Sequence, residues 1–270
     1  MSDHDIPVKH RARKRFGQNF LIDSSTVAAI IAAVHPERHD TIIEVGPGHG
    51  ALTGPLLASG CELHALEIDR DLAADLQRRY PQLSVHLCDA LEFDYAQFKK
   101  KKRIVGNLPY NISTPLLFQF ERFSTGIHDI HVMLQKEVVD RMIAAPADSN
   151  YSRLSVMLQY RFAMEKLFEV AATAFVPRPQ VESAMVRLLP QCPVPWPARN
   201  EMLFARVVAA AFAQRRKTLR NSLKGYLAAP DFAALGIDPR SRAQELGVAQ
   251  FVSIADYVGA RHVSPKLSRT

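Results

Sequence analysis

Five short apolar runs separated by amphipathic segments dominate the stretch from Thr41 to Gln135: "TIIEV" (41–45), "ELHALEI" (62–68), "LSVHL" (83–87), "RIVGN" (103–107) and "DIHVMLQ" (129–135). They recur roughly every 20 residues, and the intervening patterns, such as "DLAADLQRRY" and "TPLLFQFERF", repeat at helical spacing. Strands alternating with helices imply a parallel sheet covered on both faces, a Rossmann-like doubly wound α/β fold. In such sheets ligands lie beyond the carboxyl ends of the strands, so the residues that follow each run are where chemistry is expected.

Downstream the pattern changes. A helical "RLSVMLQYRF" (153–162), a strand-like "EKLFEV" (165–170), the turn-rich "FVPRPQVES" (175–183) and a strand "AMVRLL" (184–189) precede "PQCPVPWPARN" (190–200), whose four prolines read as an interdomain linker. Beyond it "EMLFARVVAAAFAQ", "TLRNSLKGYLAA", "SRAQELG" and "AQFVSIADYVGA" predict a small all-α C-terminal domain. The expected division is therefore residues 1–190, a large α/β domain with a basic N-terminal arm, and residues 191–270, a helical domain. A chain of 270 residues with 47% hydrophobic composition can bury a core in each.

No apolar run approaches the roughly 18 residues of a membrane span. The richest, "VAAIIAAV" (27–34), follows a helix-capping cluster at Asp23, Ser24 and Ser25. The basic opening residues lead into no apolar signal segment, so a cytoplasmic protein without membrane contact is expected. Cys61, Cys88 and Cys192 lack the paired spacing of a zinc site or disulfide framework, and no HExxH-type pair occurs, so no metal is expected.

The first strand runs into "EVGPGHGALT", which carries Glu44, Gly46, Gly48 and Gly50. Glycines there permit positive φ and close approach of a ligand to the backbone. The spacing is G-x-G-x-G rather than the dinucleotide G-x-G-x-x-G, and a carboxylate at Glu44 disfavours a pyrophosphate while suiting an ammonium or sulfonium charge. Glu67, 21 residues after Gly46, ends the second strand where a carboxylate can accept from both ribose hydroxyls. Asp69 reads as the cap of the next helix. Asp89, after the third strand, is suited either to an adenine amine or to a plain turn. Together these features fit a phosphate-free, positively charged nucleoside, S-adenosylmethionine, better than NAD.

With "RKRFGQNFL" (13–21), "EVGPGHGALT" (44–53), "EID" (67–69), "CDAL" (88–91), "VGNLPYNIS" (105–113) and "FVPRPQVESA" (175–184) in this order, the chain resembles the S-adenosylmethionine-dependent rRNA adenine N6,N6-dimethyltransferases, most closely their small-subunit (16S) branch. The resemblance covers most of the chain. It implies a methyltransferase sheet, S-adenosyl-L-methionine as cofactor with S-adenosyl-L-homocysteine as product, and four methyl transfers to two adjacent adenines in a hairpin near the 3′ end of 16S rRNA within the assembling small subunit. It also implies a monomer.

The Asn107, Leu108, Pro109, Tyr110 tetrapeptide closes the fourth strand. An adenine amine is a weak nucleophile that no ordinary side-chain base deprotonates beforehand. If the Asn107 amide oxygen and the Leu108 main-chain oxygen each accept one N6 hydrogen, the nitrogen is drawn towards sp³ geometry, and its developing positive charge meets two fixed acceptors. Pro109 stiffens the turn and lacks an N–H, and Tyr110 offers a stacking face. The resemblance assigns these same roles, adds Phe175 as the other wall of the base pocket, and places Asn19 and Leu21 over the methionine end of the cofactor.

Charge is uneven. Up to Ala198 there are 22 Lys and Arg against 22 Asp and Glu, and from Arg199 onward 12 against 5, so the net +7 lies in the last quarter and favours a polyanion partner. The favoured phosphate contacts are Arg13, Lys14 and Arg15 in the N-terminal arm, and Arg215, Arg216, Lys217, Arg220 and Lys224, of which Arg216, Arg220 and Lys224 have the four-residue spacing of a helical ridge. "KKKKR" (99–103) reads as a solvated turn. Three alternatives remain: a large-subunit rRNA dimethyltransferase of resistance type, an assembly factor in which binding outweighs catalysis, and, more remotely, a dinucleotide oxidoreductase.

Overall fold

The apolar runs at the centre of the sheet become strands whose side chains are covered on both faces, as parallel sheets require, whereas the edge run around Ser84–Leu87 is only partly covered. The computed structural model describes residues 17–263. The strands are β1 (Thr41–Val45), β2 (Glu62–Glu67), β3 (Ser84–Leu87), β4 (Lys102–Asn107), β5 (Ile127–Gln135), β6 (Phe162–Val170) and β7 (Ser183–Pro190). All five residues of β1 are buried. The order across the sheet is β3-β2-β1-β4-β5-β7-β6. β1 pairs in parallel with β2 and β4, β2 with β3, and β4 with β5, whereas β7 returns antiparallel to β5.

The strand order reverses between β1 and β4, so the loop after β1 and the turn after β4 face one crevice. Helices α1 (Ser24–Val34), α2 (Thr53–Ala58), α3 (Arg70–Arg79) and α4 (Ser113–Arg122) connect the strands. The caps read from sequence hold: Asp23 accepts from Thr26 N at 2.7 Å, and Asp69 accepts from Asp71 N at 3.0 Å. A further two-residue ribbon pairs Phe20 with Val176 and Leu21 with Phe175, antiparallel.

The chain divides into two compact units, one ending at Val139 and resuming over Ala163–Pro190, the other comprising Asp140–Phe162 and the chain from Gln191 onward. One boundary between the units falls at Pro190. Residues 140–162, expected with the α/β domain, fall instead in the helical unit, because α6 (Arg153–Arg161) packs there on α7 (Glu201–Phe212). Tyr160 meets Phe204 with ring centroids 4.5 Å apart, and its phenol donates to Glu201 Oε1 at 3.1 Å. Helix α5 (Lys136–Ile143) spans the division, and α8 (Val248–Val263) completes the helical core through Phe251, Ile254 and Val258.

Two expectations fail here. Lys102 is not in a solvated turn but in β4, and Arg103, which the run "RIVGN" already placed in that strand, is not solvated either; the two are 1% and 9% exposed. Arg103 is buried because it is fully partnered: it makes two 2.8 Å bonds to Asp129 and one to Asp40, and donates to the carbonyls of Val34 and His35. The basic ridge at Arg216, Arg220 and Lys224 does not form either. α7 stops at Phe212, residues 215–217 form a turn, and only a short helix, Leu219–Ser222, follows. The main-chain N–H groups of Leu219 and Arg220 donate to Ser241 O and Pro239 O, which anchors that helix to another loop instead of extending α7. Among the described residues no helix is long and apolar enough to cross a membrane.

Candidate active site

The loop after β1 turns on Gly46 and Gly48, with φ of +67° and +57°, a region that disfavours any side chain. Gly46 N donates to Leu66 O at 3.0 Å, and Gly48 N donates to Glu67 Oε2 at 3.2 Å. The other Glu67 oxygen accepts from Asp69 N at 2.9 Å. This carboxylate therefore ties the glycine loop to the end of β2, and each oxygen retains a second lone pair for a ligand hydroxyl. Glu67 is 4% exposed, and burial raises its pKa against the pull of these N–H donors.

Glu44 lies beneath the same loop, 1% exposed. Thr53 Oγ1 donates to it at 2.6 Å. Burial pushes its pKa up to about 7, the Thr53 bond opposes this, and the nearby Glu67 adds to it. Asp89 takes the turn role, accepting from Leu91 N at 2.8 Å through Oδ1, yet it also faces the cleft. Its Oδ2 is free of protein partners among the described residues.

β4 delivers Asn107 to the opposite lip. Its Nδ2 donates to the main-chain oxygen of Asn19 at 2.9 Å. A carbonyl can only accept, so the amide nitrogen must face Asn19, leaving Oδ1 with no partner among the described residues. In the turn that follows, Leu108 N donates to Met133 O, and the carbonyls of Pro109 and Tyr110 accept from Ile112 N and Ser113 Oγ. Among the described residues the Leu108 carbonyl has no such partner. Tyr110 is half-buried rather than exposed, with its phenol 2.7 Å from Ser183 Oγ, and burial raises its pKa.

Asn19, Leu21, Gly46, Gly48, Glu67, Asp89 and the tetrapeptide 107–110 all line this one cleft. Phe175 does not. It is 2% exposed, packed in the core cluster with Leu21 and Met185. Its ring is withdrawn from the cleft because the pairing with Leu21 turns it into the apolar interior. Arg13, Lys14 and Arg15 lie outside the described residues. Arg215, Arg216, Lys217, Arg220 and Lys224 are exposed within the helical unit.

Several contributors escaped the sequence reading. Gln18 reaches Asp69 Oδ2 at 3.5 Å, and Ser183 holds Tyr110 from 73 residues away. Neither has a local signal. Gly106 had one, a glycine inside a strand, which marks close backbone approach.

A family model described as ribosomal RNA adenine dimethylase matches residues 9–259. The chain belongs to the ribosomal RNA adenine dimethylase family. Relatives of this dimethylase include the "Ribosomal RNA small subunit methyltransferase A" of Thiobacillus denitrificans, 57% identical over 93% of this chain and 100% of the relative, and that of Nitrosospira multiformis, 53% identical over 93% and 97%. The fold of the dimethylase is also that of a dimethyladenosine transferase from Plasmodium falciparum (TM-score 0.76, 24% identity, 87% of this chain and 95% of that one) and of the 23S rRNA methyltransferase ErmE (TM-score 0.72, 23% identity, 89% and 100%).

The cleft fits the family's cofactor. Three carboxylates, Glu44, Glu67 and Asp89, line it, and the described lining residues include no Lys or Arg. A pyrophosphate would find no counter-charge there, whereas a sulfonium-bearing nucleoside would.

Proposed function

We propose that this protein is an S-adenosylmethionine-dependent small-subunit rRNA adenine dimethyltransferase that methylates two adjacent adenines in the 3′-terminal hairpin of 16S rRNA during subunit maturation, acting as a monomer in the cytoplasm. The relatives named for the small subunit support this target over a large-subunit one. The observation that carries the reading is the Asn107 carboxamide, tied by its nitrogen to Asn19 O and so presenting Oδ1 to the cleft.

When bound, S-adenosylmethionine supplies a methyl group activated by its sulfonium and leaves as S-adenosylhomocysteine. Glu67 would accept the ribose hydroxyls of the cofactor, and Asp89 Oδ2 would accept from its adenine amine. Asn107 Oδ1 and Leu108 O each accept one N6 hydrogen of the target base, aligning the nitrogen lone pair and stabilising the positive charge that grows on it. Tyr110, its phenol held by Ser183, stacks on the flipped base, a contact worth roughly 1–3 kcal/mol. The α/β unit thus supplies the chemistry, and the helical unit, with its exposed Arg215, Arg216 and Lys217, contributes phosphate contacts.

The test is to incubate the protein with tritiated S-adenosylmethionine and small subunits lacking the modification, then map the labelled nucleoside. Dimethyladenosine near the 3′ end is the expected product. Asn107→Ala should abolish transfer while cofactor binding stays measurable, and an active Asn107→Ala enzyme would remove the mechanism.

A further inference from the structure

The carboxamide of Asn107 is oriented from a segment 88 residues away, since its only described hydrogen bond is the one to Asn19 O. Residues 17–21 are pinned at three points. At the start, Gly17 has φ +62° and lies beside the side chain of Asn111, in the turn that follows Asn107; a Cβ on Gly17 would approach Asn111 Oδ1 to 2.8 Å. In the middle, the Phe20 ring covers Gly48, where a Cβ would meet it at 3.0 Å, and lies against His49 with ring centroids 4.2 Å apart. At the end, Phe20 and Leu21 pair with Val176 and Phe175, and Ile22 N donates to Ala174 O at 2.9 Å.

The geometry points to residues 17–21, backed by the Phe175–Val176 strand, as a positioning element for methyl transfer: the Asn19 carbonyl selects the carboxamide orientation in which Asn107 Oδ1 faces the target amine. The inference rests on the reading of Asn107 as the acceptor of an N6 hydrogen. A primary carboxamide has two orientations half a turn apart, and the wrong one would present NH₂ to the incoming amine, donor against donor. An acceptor fixed at Asn19 O removes that orientation before the base arrives, which is preorganisation. Phe175 thereby gains a task that its burial allows. It does not touch the base but anchors, through Leu21, the backbone that aims Asn107.

The test pairs kinetics with a direct view of the amide. Gly17→Ala places a methyl group against Asn111 in a backbone conformation that L-residues avoid. It should lower kcat by about tenfold or more at saturating cofactor and RNA, with S-adenosylhomocysteine affinity changed less than about threefold. Gly17→Ala/Asn111→Ala should recover only part of that loss, because the contact is relieved while the strain of the positive φ stays, and Asn111→Ala alone should turn over near the normal rate. In ¹⁵N spectra of the unmodified protein the Asn107 NH₂ pair should show one hydrogen-bonded, slowly exchanging proton, lost in Gly17→Ala. Wild-type spectra without that signature, or a Gly17→Ala enzyme with normal kcat while Asn107→Ala is dead, would overturn the positioning role and leave the proposed function standing. An active Asn107→Ala would instead remove the function reading itself.

Discussion

The phenol of Tyr110 and the hydroxyl of Ser183 lie 2.7 Å apart, joining the turn after β4 to the first residue of β7. The bond fixes the tilt of a half-buried ring on the lip of the cleft, and burial raises the pKa of the Tyr110 phenol. A typical hydrogen bond of this kind contributes about 1 kcal/mol. Ser183→Ala and Tyr110→Phe should each raise the KM for RNA about fivefold, and the double variant should be little worse than either, since both remove one interaction. Steady-state kinetics on unmodified subunits checks this. Strictly additive losses would show that the two groups act separately.

Gly106 is a point of contact between the two strands that carry the site. A Cβ there would stand 2.4 Å from the main-chain oxygen of Val45, which cannot swing away as a side chain can. Gly106→Ala should therefore push β4 from β1 where they deliver Asn107 and the glycine loop. The expected cost is about 2 kcal/mol of stability, in the range of overpacked cores, together with loss of cofactor affinity. Thermal melts and calorimetric titration with S-adenosylhomocysteine measure both, and an unchanged melting temperature would contradict the close approach.

What was legible in the chain was what local pattern controls. The apolar runs became β1 to β5, the central ones because a parallel strand buried on both faces is largely apolar, and the caps at Asp23 and Asp69 followed from side-chain oxygens next to a helix start. The cleft assembled as expected because strand ends in such sheets converge. Partners distant in sequence were not legible. Burial of Arg103 depends on Asp40 and Asp129, 63 and 26 residues away, so "KKKKR" looked solvated. The four-residue spacing of Arg216, Arg220 and Lys224 suggested a ridge, but whether α7 continues is decided by Ser241 and Pro239. The pairing of Phe175 with Leu21, which hides its ring, has no local signature either.

Arg215, Arg216 and Lys217 are exposed in the turn after α7. If they meet phosphates, replacing all three by Ala removes about three released counterions. The slope of log affinity against log salt should then shrink by roughly 2 for single-stranded or irregular RNA. Filter binding to an unmodified small-subunit fragment across a salt series reads this directly. An unchanged slope would exclude these side chains from the RNA contact, while the methyl-transfer site, in the other unit, would be unaffected.

Glu44 makes the fold itself sensitive to pH. Its pKa rises from the ordinary 4.5 to about 7, principally through burial, so the folded chain holds this proton more tightly than the unfolded one. The stabilising contribution is complete below pH 4.5 and is lost as pH climbs through 7, a change of roughly 3 kcal/mol. Glu44→Gln keeps the acceptor for Thr53 without the charge, so its melting temperature should match the parent near pH 5 and exceed it increasingly up to pH 8. Binding adds the converse effect. A sulfonium favours the carboxylate, so S-adenosylmethionine affinity should improve as pH rises through 7 with release of a proton, S-adenosylhomocysteine should respond less, and Glu44→Gln should flatten both profiles. Calorimetry in buffers of different ionisation enthalpy counts that proton. Parallel pH profiles for the parent and Glu44→Gln would mean that Glu44 does not titrate between pH 5 and 8 in the folded protein.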